Sequence, residues 1–238
     1  MSSPPRVYLL DVEGTTSPIS LVSEQLFPYA RKHLRAYLHE HAGEPDADAD
    51  FALLLGENSA ETAADVPRFS RFEDIEKAAE YLLWLMDRDR KSTALKSLQG
   101  KIWKSGFLVG ELVGTVFPDV PEALARWGKQ AKVAIYSSGS VEAQQLLFRY
   151  SSAGDLTPFI TSYFDTRIGP KTSPASYRAI AEQVQAPPRS ILFISDLIRE
   201  LDPARDAGCQ TRLSLREGNQ AVADPNGHPA IRAFDVIA

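Results

Sequence analysis

Four short apolar runs punctuate the chain, and each closes on small, polar or acidic residues. "RVYLL" (6–10) leads into Asp11, Val12, Glu13 and Gly14, and "AKVAIYSSGS" (131–140) runs into serines and a glycine. "RSILFISD" (189–196) ends on an aspartate, and "CQTRLSL" (209–215) is the fourth. Apolar runs of this length, bounded by turn residues, predict strands. Helical patterns follow two of them at once, "VEAQQLLFRY" after the second and "LIRELDPARDAG" after the third. Strands alternating with helices predict an α/β fold with a parallel sheet covered on both faces. Sites in such sheets lie beyond the C-terminal ends of the strands, where these polar residues gather.

The pattern between the first and second runs is different. "SEQLFPYARKHLRAYLHEH" places apolar residues at 26, 30, 34 and 38, a helical spacing, with Pro28 at a bend or helix start. "FEDIEKAAEYLLWLMDRD" and "ALKSLQGKIWKSGFLVGEL" are helical in pattern as well, and no useful β alternation interrupts them. "GEPDADAD" and "GENSAETAADVPR" read as connections. The expectation is an α/β core from residues 1–17 and 115–238, with a mostly helical insertion over 18–114. "EGNQAVADPNGHP" (217–229) reads as a turn-rich surface segment.

Composition narrows the function classes. The chain has 238 residues, is 44% hydrophobic and 24% charged, and carries a formal charge of −5. That acidity argues against a general nucleic-acid surface. The single cysteine, Cys209, excludes an intrachain disulfide and a cysteine-rich metal site, and points to a reducing compartment. The opening "MSSPPRVYLLDVE" meets acidic residues too soon for a signal-peptide core, and no apolar window is long enough to span a bilayer. The expectation is a cytoplasmic protein without membrane or nucleic-acid partners.

The carboxylates then become informative. Asp11 and Glu13 follow the first strand, and Asp196 follows the third, with Glu200 behind it. Charges at the ends of buried strands are unfavourable unless a cation or a proton shares the site. An all-oxygen set suits a hard ion such as Mg²⁺ rather than zinc, and Mg²⁺ in turn suggests phosphate or a polarised carbonyl. Ser137 and Ser138, in "SSGS" ahead of a helix, offer hydroxyls and backbone N–H groups to phosphate oxygens. Lys171, between two prolines in "RIGPKTSP", would complete the neutralisation. Each piece alone is ordinary turn or surface material. Their order along the chain is what carries weight.

With these residues in place, the chain resembles the haloacid dehalogenase-like hydrolase superfamily, and within it the enolase-phosphatase E1 (acireductone synthase) family. The superfamily's first motif is usually D-x-D-x-[TV]; this chain reads "DVEGT", with Glu13 in place of the second aspartate, as that family is known for. "DVEGTTSPIS", "LFPYAR", "GKIWKSGFLVGELVGTVFPDVPEAL", "IYSSGSVEAQQLLF" and "YFDTRIGPKTSPASY" all look like family motifs, and "SDLIRE" supplies Ser195, Asp196 and Glu200 of the fourth. The resemblance covers most of the chain and is weakest from about 42 to 68.

The resemblance implies a Rossmann-like core of the haloacid dehalogenase type with a helical cap inserted after the first strand. It implies Asp11 as nucleophile and metal ligand. Glu13 would bind the metal through its main-chain carbonyl and serve through its carboxyl group as acid and base. Asp196 would be the third ligand to one Mg²⁺ per chain. Ser137, Ser138 and Lys171 would hold substrate, with Glu200 behind them. The implied substrate is a small phosphorylated diketone, 2,3-diketo-5-methylthiopentyl 1-phosphate. It would be enolised and then dephosphorylated to an acireductone in methionine salvage, by a cytoplasmic monomer, with a nuclear pool in a eukaryotic host. Two alternatives stay open: a phosphatase of another small phosphomonoester, and a catalytically silent binding protein. The intact Asp11, Glu13, Lys171 and Asp196 argue against the second.

Other residues read more plainly. His33, His39 and His41 are spaced as a solvated helix end rather than a metal cluster. Trp84, Leu85 and Met86 read as core of the insertion, and "DRDRK" (87–91) as a solvated charge run. Trp103 and Phe107 face one way and are candidates to line a methylthio pocket. Cys209 reads as an inert buried thiol.

Overall fold

The computed structural model describes residues 4–71 and 74–237. Six parallel strands form one sheet: β1 (Val7–Leu10), β2 (Lys132–Tyr136), β3 (Ser162–Phe164), β4 (Ile191–Ser195), β5 (Gln210–Ser214) and β6 (Ala230–Ile231). Their order is β3-β2-β1-β4-β5-β6, so the chain runs outward from β1 in one direction and then in the other. β1 is central, paired with β2 (Leu9↔Ala134) and with β4 (Leu9↔Phe193). The loops after β1 and β4 therefore open side by side at the switch point of the sheet.

Both faces of the strands are apolar because both are covered. Val7, Leu9, Ala134, Tyr136, Ile191 and Phe193 point to one side, into a core shared with Tyr177, Ile180, Leu201 and Ala204. Tyr8, on the other side of β1, stacks on Trp127 at 4.2 Å between ring centroids. Four sequence runs become β1, β2, β4 and β5. β3 and β6 are too short, at three and two residues, to carry a periodic signal.

Contacts divide the chain into two compact units, one formed by the residues up to Ser23 together with Leu112 onward, the other by Glu24–Glu111. The second is helical: α1 (Phe27–Glu40), α2 (Pro45–Ala60), α3 (Ile75–Asp87) and α4 (Thr93–Leu108). Ala30, Leu34 and Leu38 of α1 share a buried core with Phe51, Leu54, Tyr81, Leu82, Leu98 and Ile102. Pro28 stands in the first turn of α1, where its missing N–H costs nothing. Phe72 and Glu73, which open one of the helical stretches, lie outside the described residues, as do residues 1–3.

One connection expected from the sequence is a helix instead. "GEPDADAD" contains the start of α2, which continues into "GENSA". Pro45 occupies the first turn, and Asp46 and Asp48 lie at the positive end of the helix dipole, so the acidic run is a helix start. Remaining helices of the α/β unit are α5 (Val120–Trp127), α6 (Val141–Arg149), α7 (Pro174–Gln183) and α8 (Ile198–Asp206). Among the described residues no helix is long and apolar enough to cross a membrane.

Candidate active site

Asp11 extends β1 by one residue, its N–H donating to the Ile194 carbonyl at 3.0 Å, and its side chain is buried. The chain then turns sharply, with the N–H groups of Thr15, Thr16 and Ser17 all converging on the Val12 carbonyl. Gly14 sits at φ +68, in the left-handed region. A Cβ there would stand 2.6 Å from Asp196 Oδ2, so the turn needs glycine both for its backbone and for this close approach.

Lys171 reaches the same place from the loop ahead of α7. Its Nζ lies 2.6 Å from Asp11 Oδ1 and 2.5 Å from Glu200 Oε2, and its side chain is 8% exposed. Tyr177, one turn into α7, places its hydroxyl 2.7 Å from the Lys171 carbonyl and 2.9 Å from that of Glu200, tying α7 to α8 beneath the ion pairs. Val12 N–H donates to Asp11 Oδ1 at 2.8 Å. The Ser195 hydroxyl donates to Glu200 Oε2 at 2.9 Å and lies 3.2 Å from Asp11 Oδ2. The structure thus brings Asp11, Lys171 and Glu200 into direct contact. Ser195 joins them and was visible in the sequence only as the residue before Asp196.

Electrostatics follow from burial and from like charges. Burial raises the Glu13 carboxyl pKa, and the Asp11 charge raises it further, against the opposing pull of Lys171. Burial and the charges of Asp11 and Glu200 push Asp196 up to about 7. Glu200 is raised by burial and by Asp11. For Lys171, burial works against the charge, but Asp11 and Glu200 outweigh it and hold the ammonium above its ordinary value. Asp11 and Glu200 hold the buried ammonium between them, and Glu13 and Asp196 lie within reach of the same charges.

Ser137 and Ser138 follow β2. Ser137 is buried and its Oγ accepts from Gly139 N–H at 3.3 Å, while Ser138 is exposed. Ser140 caps α6 by accepting from Ala143 N–H, so this loop leads directly into a helix N-terminus. Asp165, after β3, accepts from Arg167 at 2.9 Å and from Val141 N–H at 3.4 Å.

The remaining candidates lie apart from one another. His39 contacts Glu76 and His41 contacts Glu44, while His33 stacks on Tyr29. Phe107 is 2% exposed and belongs to the interior, whereas Trp103 is half-buried and donates to the Leu26 carbonyl. The Cys209 thiol, buried, is pushed up to about 12 by desolvation. Arg216 and Asn219 also reach this site, donating to the carbonyls of Thr15 and Gly14, and nothing in "LREGNQ" distinguishes such a clamp from a surface turn.

Residues 5–208 match the family model described as haloacid dehalogenase-like hydrolase. The enolase-phosphatase E1 of Synechococcus elongatus is 50% identical over 230 residues, covering 96% of each chain. That of Pseudomonas aeruginosa is 44% identical over 234 residues, 98% of each. Among solved structures, the UTR4 protein of Saccharomyces cerevisiae superposes with a TM-score of 0.77 at 32% identity, covering 97% of this chain and 99% of its own. CbbY of Rhodobacter sphaeroides, crystallised with phosphate, shares the fold at 16% identity and a TM-score of 0.59, over 97% of this chain and 95% of its own. With the parallel sheet, the carboxylates after β1 and β4, and relatives this close over nearly the whole length, the chain belongs to the enolase-phosphatase E1 family of the haloacid dehalogenase-like hydrolases.

Proposed function

We propose that the protein is a Mg²⁺-dependent enolase-phosphatase that converts 2,3-diketo-5-methylthiopentyl 1-phosphate to the acireductone 1,2-dihydroxy-3-keto-5-methylthiopentene and phosphate. The observation that carries the reading is the buried Lys171 ammonium held between Asp11 and Glu200 at the sheet's switch point. A silent binding module has no use for a desolvated carboxylate in that position.

The donor set fits a divalent cation. It is all oxygen, and its negative charge exceeds what Lys171 neutralises. The ion would be held by the carboxylates of Asp11 and Asp196 and by the main-chain carbonyl of Glu13. When bound, Mg²⁺ supplies charge neutralisation for the phosphate dianion and polarises the diketone.

The chain's own residues do the rest. Lys171 and Val12 N–H fix Asp11 Oδ1, so the carboxylate is oriented before substrate arrives. An Asp11 oxygen attacks phosphorus, forming an aspartyl-phosphate as the bond to the leaving oxygen breaks. Glu13, with its raised pKa, carries the proton that this oxygen takes up. The resulting Glu13 carboxylate then removes a proton from the water that attacks phosphorus, releasing phosphate and restoring Asp11. Ser137 and the N–H groups ahead of α6 hold phosphate oxygens, and Ser138 contributes its exposed hydroxyl. We read the helical insertion expected over 18–114 as the cap that selects the substrate, and the enzyme as a cytoplasmic monomer.

The test follows the two half-reactions separately, by enediol absorbance and by phosphate release, with Mg²⁺ and the diketo phosphate. The wild type gives both signals. Asp11→Asn loses phosphate release by several orders of magnitude while its circular dichroism is unchanged. Substantial Mg²⁺-dependent phosphate release from that variant would overturn the covalent mechanism.

A further inference from the structure

The turn after β1 is held from outside by the segment that follows β5. Ser214 Oγ, at 3.1 Å, and Asn219 Nδ2, at 2.9 Å, both donate to the Gly14 carbonyl. Arg216 Nε donates to the Thr15 carbonyl at 3.2 Å. Asn219 Nδ2 also donates to the Ser214 carbonyl at 3.2 Å. Two carbonyls on one side fix the orientation of the carboxamide, because its oxygen turned that way would face two acceptors.

Asn219 Oδ1 therefore points in the other direction. It is buried, and it has no hydrogen-bond partner among the described residues. A Cβ placed on Gly14 would lie 2.9 Å from this oxygen and 2.6 Å from Asp196 Oδ2. Two acceptor oxygens flank the bare side of Gly14, and among the described residues Asn219 Oδ1 accepts from no donor. Buried oxygens in such a position call for a donor, and a water molecule has two.

We propose that Asn219 is a positioning residue for the metal: its Oδ1 and Asp196 Oδ2 accept the two hydrogens of one water over the bare face of Gly14, and that water completes the oxygen shell of the cation. The inference rests on the Mg²⁺ reading given above. Asp196 then serves twice, with one oxygen for the water and the other for the ion. Partners of this kind orient what the metal binds, and their loss typically weakens metal affinity by about 10- to 100-fold. The requirement for glycine at 14 gains a third reason, since a side chain would extend into the place of the water.

The experiment is calorimetric titration of Mg²⁺ into the full chain. Wild type, Asn219→Ala and Ser214→Ala are compared, each checked by thermal melting in chelator. Ser214→Ala removes the other side-chain donor to the Gly14 carbonyl and leaves Oδ1 of Asn219 in place. The expected result is a Kd for Mg²⁺ raised about tenfold or more in Asn219→Ala, with Ser214→Ala like the wild type. Water-proton relaxation with Mn²⁺ should also show faster exchange of a bound water in Asn219→Ala. Should Asn219→Ala fail to fold, Asn219→Ser, whose hydroxyl is too short to reach the water, is titrated in its place. Wild-type affinity in the Asn219 variant would overturn the inference and leave the Mg²⁺ reading standing. Equal losses in both variants would overturn it too, by showing that Asn219 acts only through the Gly14 carbonyl. A wild type that takes up no Mg²⁺ would remove the Mg²⁺ reading itself.

Discussion

With its pKa raised by burial and by the neighbouring Asp11 charge, Glu13 holds its proton at a pH where a free glutamate has begun to lose it. That is the state needed to protonate a leaving oxygen. Glu13→Gln keeps the shape and the main-chain carbonyl and removes only the proton transfer. Phosphate release should fall by about 10²- to 10⁴-fold, the usual contribution of a positioned acid, while calorimetry shows Mg²⁺ affinity retained. Enediol that accumulates in this variant would place the enolisation base on another residue. Loss of both signals with the ion still bound would make Glu13 the shared base, and phosphate release near the normal rate would exclude it as the acid. At this scale the sequence is eloquent about carboxylates and silent about their clamps. Asp11, Glu13 and Asp196 declare themselves by ending apolar strands. Asn219 and Arg216 sit in a turn whose role depends on contacts some 200 residues away in sequence.

The elements differ in how openly they announce themselves. β1, β2 and β4 are buried on both faces and read as apolar runs closed by polar residues, so they are legible without alignment. α1 carries its apolar stripe at 30, 34 and 38, with Leu26 just ahead of it, and all four positions are buried. α2 is illegible because its acidic first turn imitates a linker and its apolar face is weakly marked. β3 and β6 owe their form to neighbours, β2 and β5, that supply the hydrogen-bonding edge. Leu34 tests the helical unit's core: it is 0% exposed and packs within the cluster of α1, α2, α3 and α4. Leu34→Ala should destabilise that unit by about 2–5 kcal/mol. Urea unfolding followed by tryptophan fluorescence will read this, since Trp84 and Trp103 both lie in the helical unit. An unchanged midpoint would mean that the core collapses around the smaller side chain.

For the molecule as a whole, the charged cluster sets a pH dependence opposite to that of most surface carboxylates. Asp196 is raised from 3.8 to about 7 on folding, so the folded protein binds its proton more tightly than the unfolded chain. The stability contributed by this group is full below the unfolded value and is lost as pH rises through about 7. Glu13 and Glu200 shift in the same direction. In chelator, the melting temperature should therefore drop between pH 5.5 and pH 8. Mg²⁺, which competes with these protons, should restore more of it at pH 8 than at pH 5.5. A chelated protein that gains stability across this range would contradict the reading of the cluster. The clamp on the turn after β1 extends over the same scale. Arg216 lies between the rings of Phe117 and Phe234, pairs with Asp119 at 2.9 Å and holds the Thr15 carbonyl. Arg126 in turn grips the carbonyls of Phe234 and Ile237. The turn that follows Asp11 is fastened by residues translated some 200 positions after it, so a nascent chain carries that turn unclamped until Ser214, Arg216 and Asn219 have been added. A message broken ahead of these codons would yield a chain that holds Asp11 and its turn but lacks the side chains that fasten them.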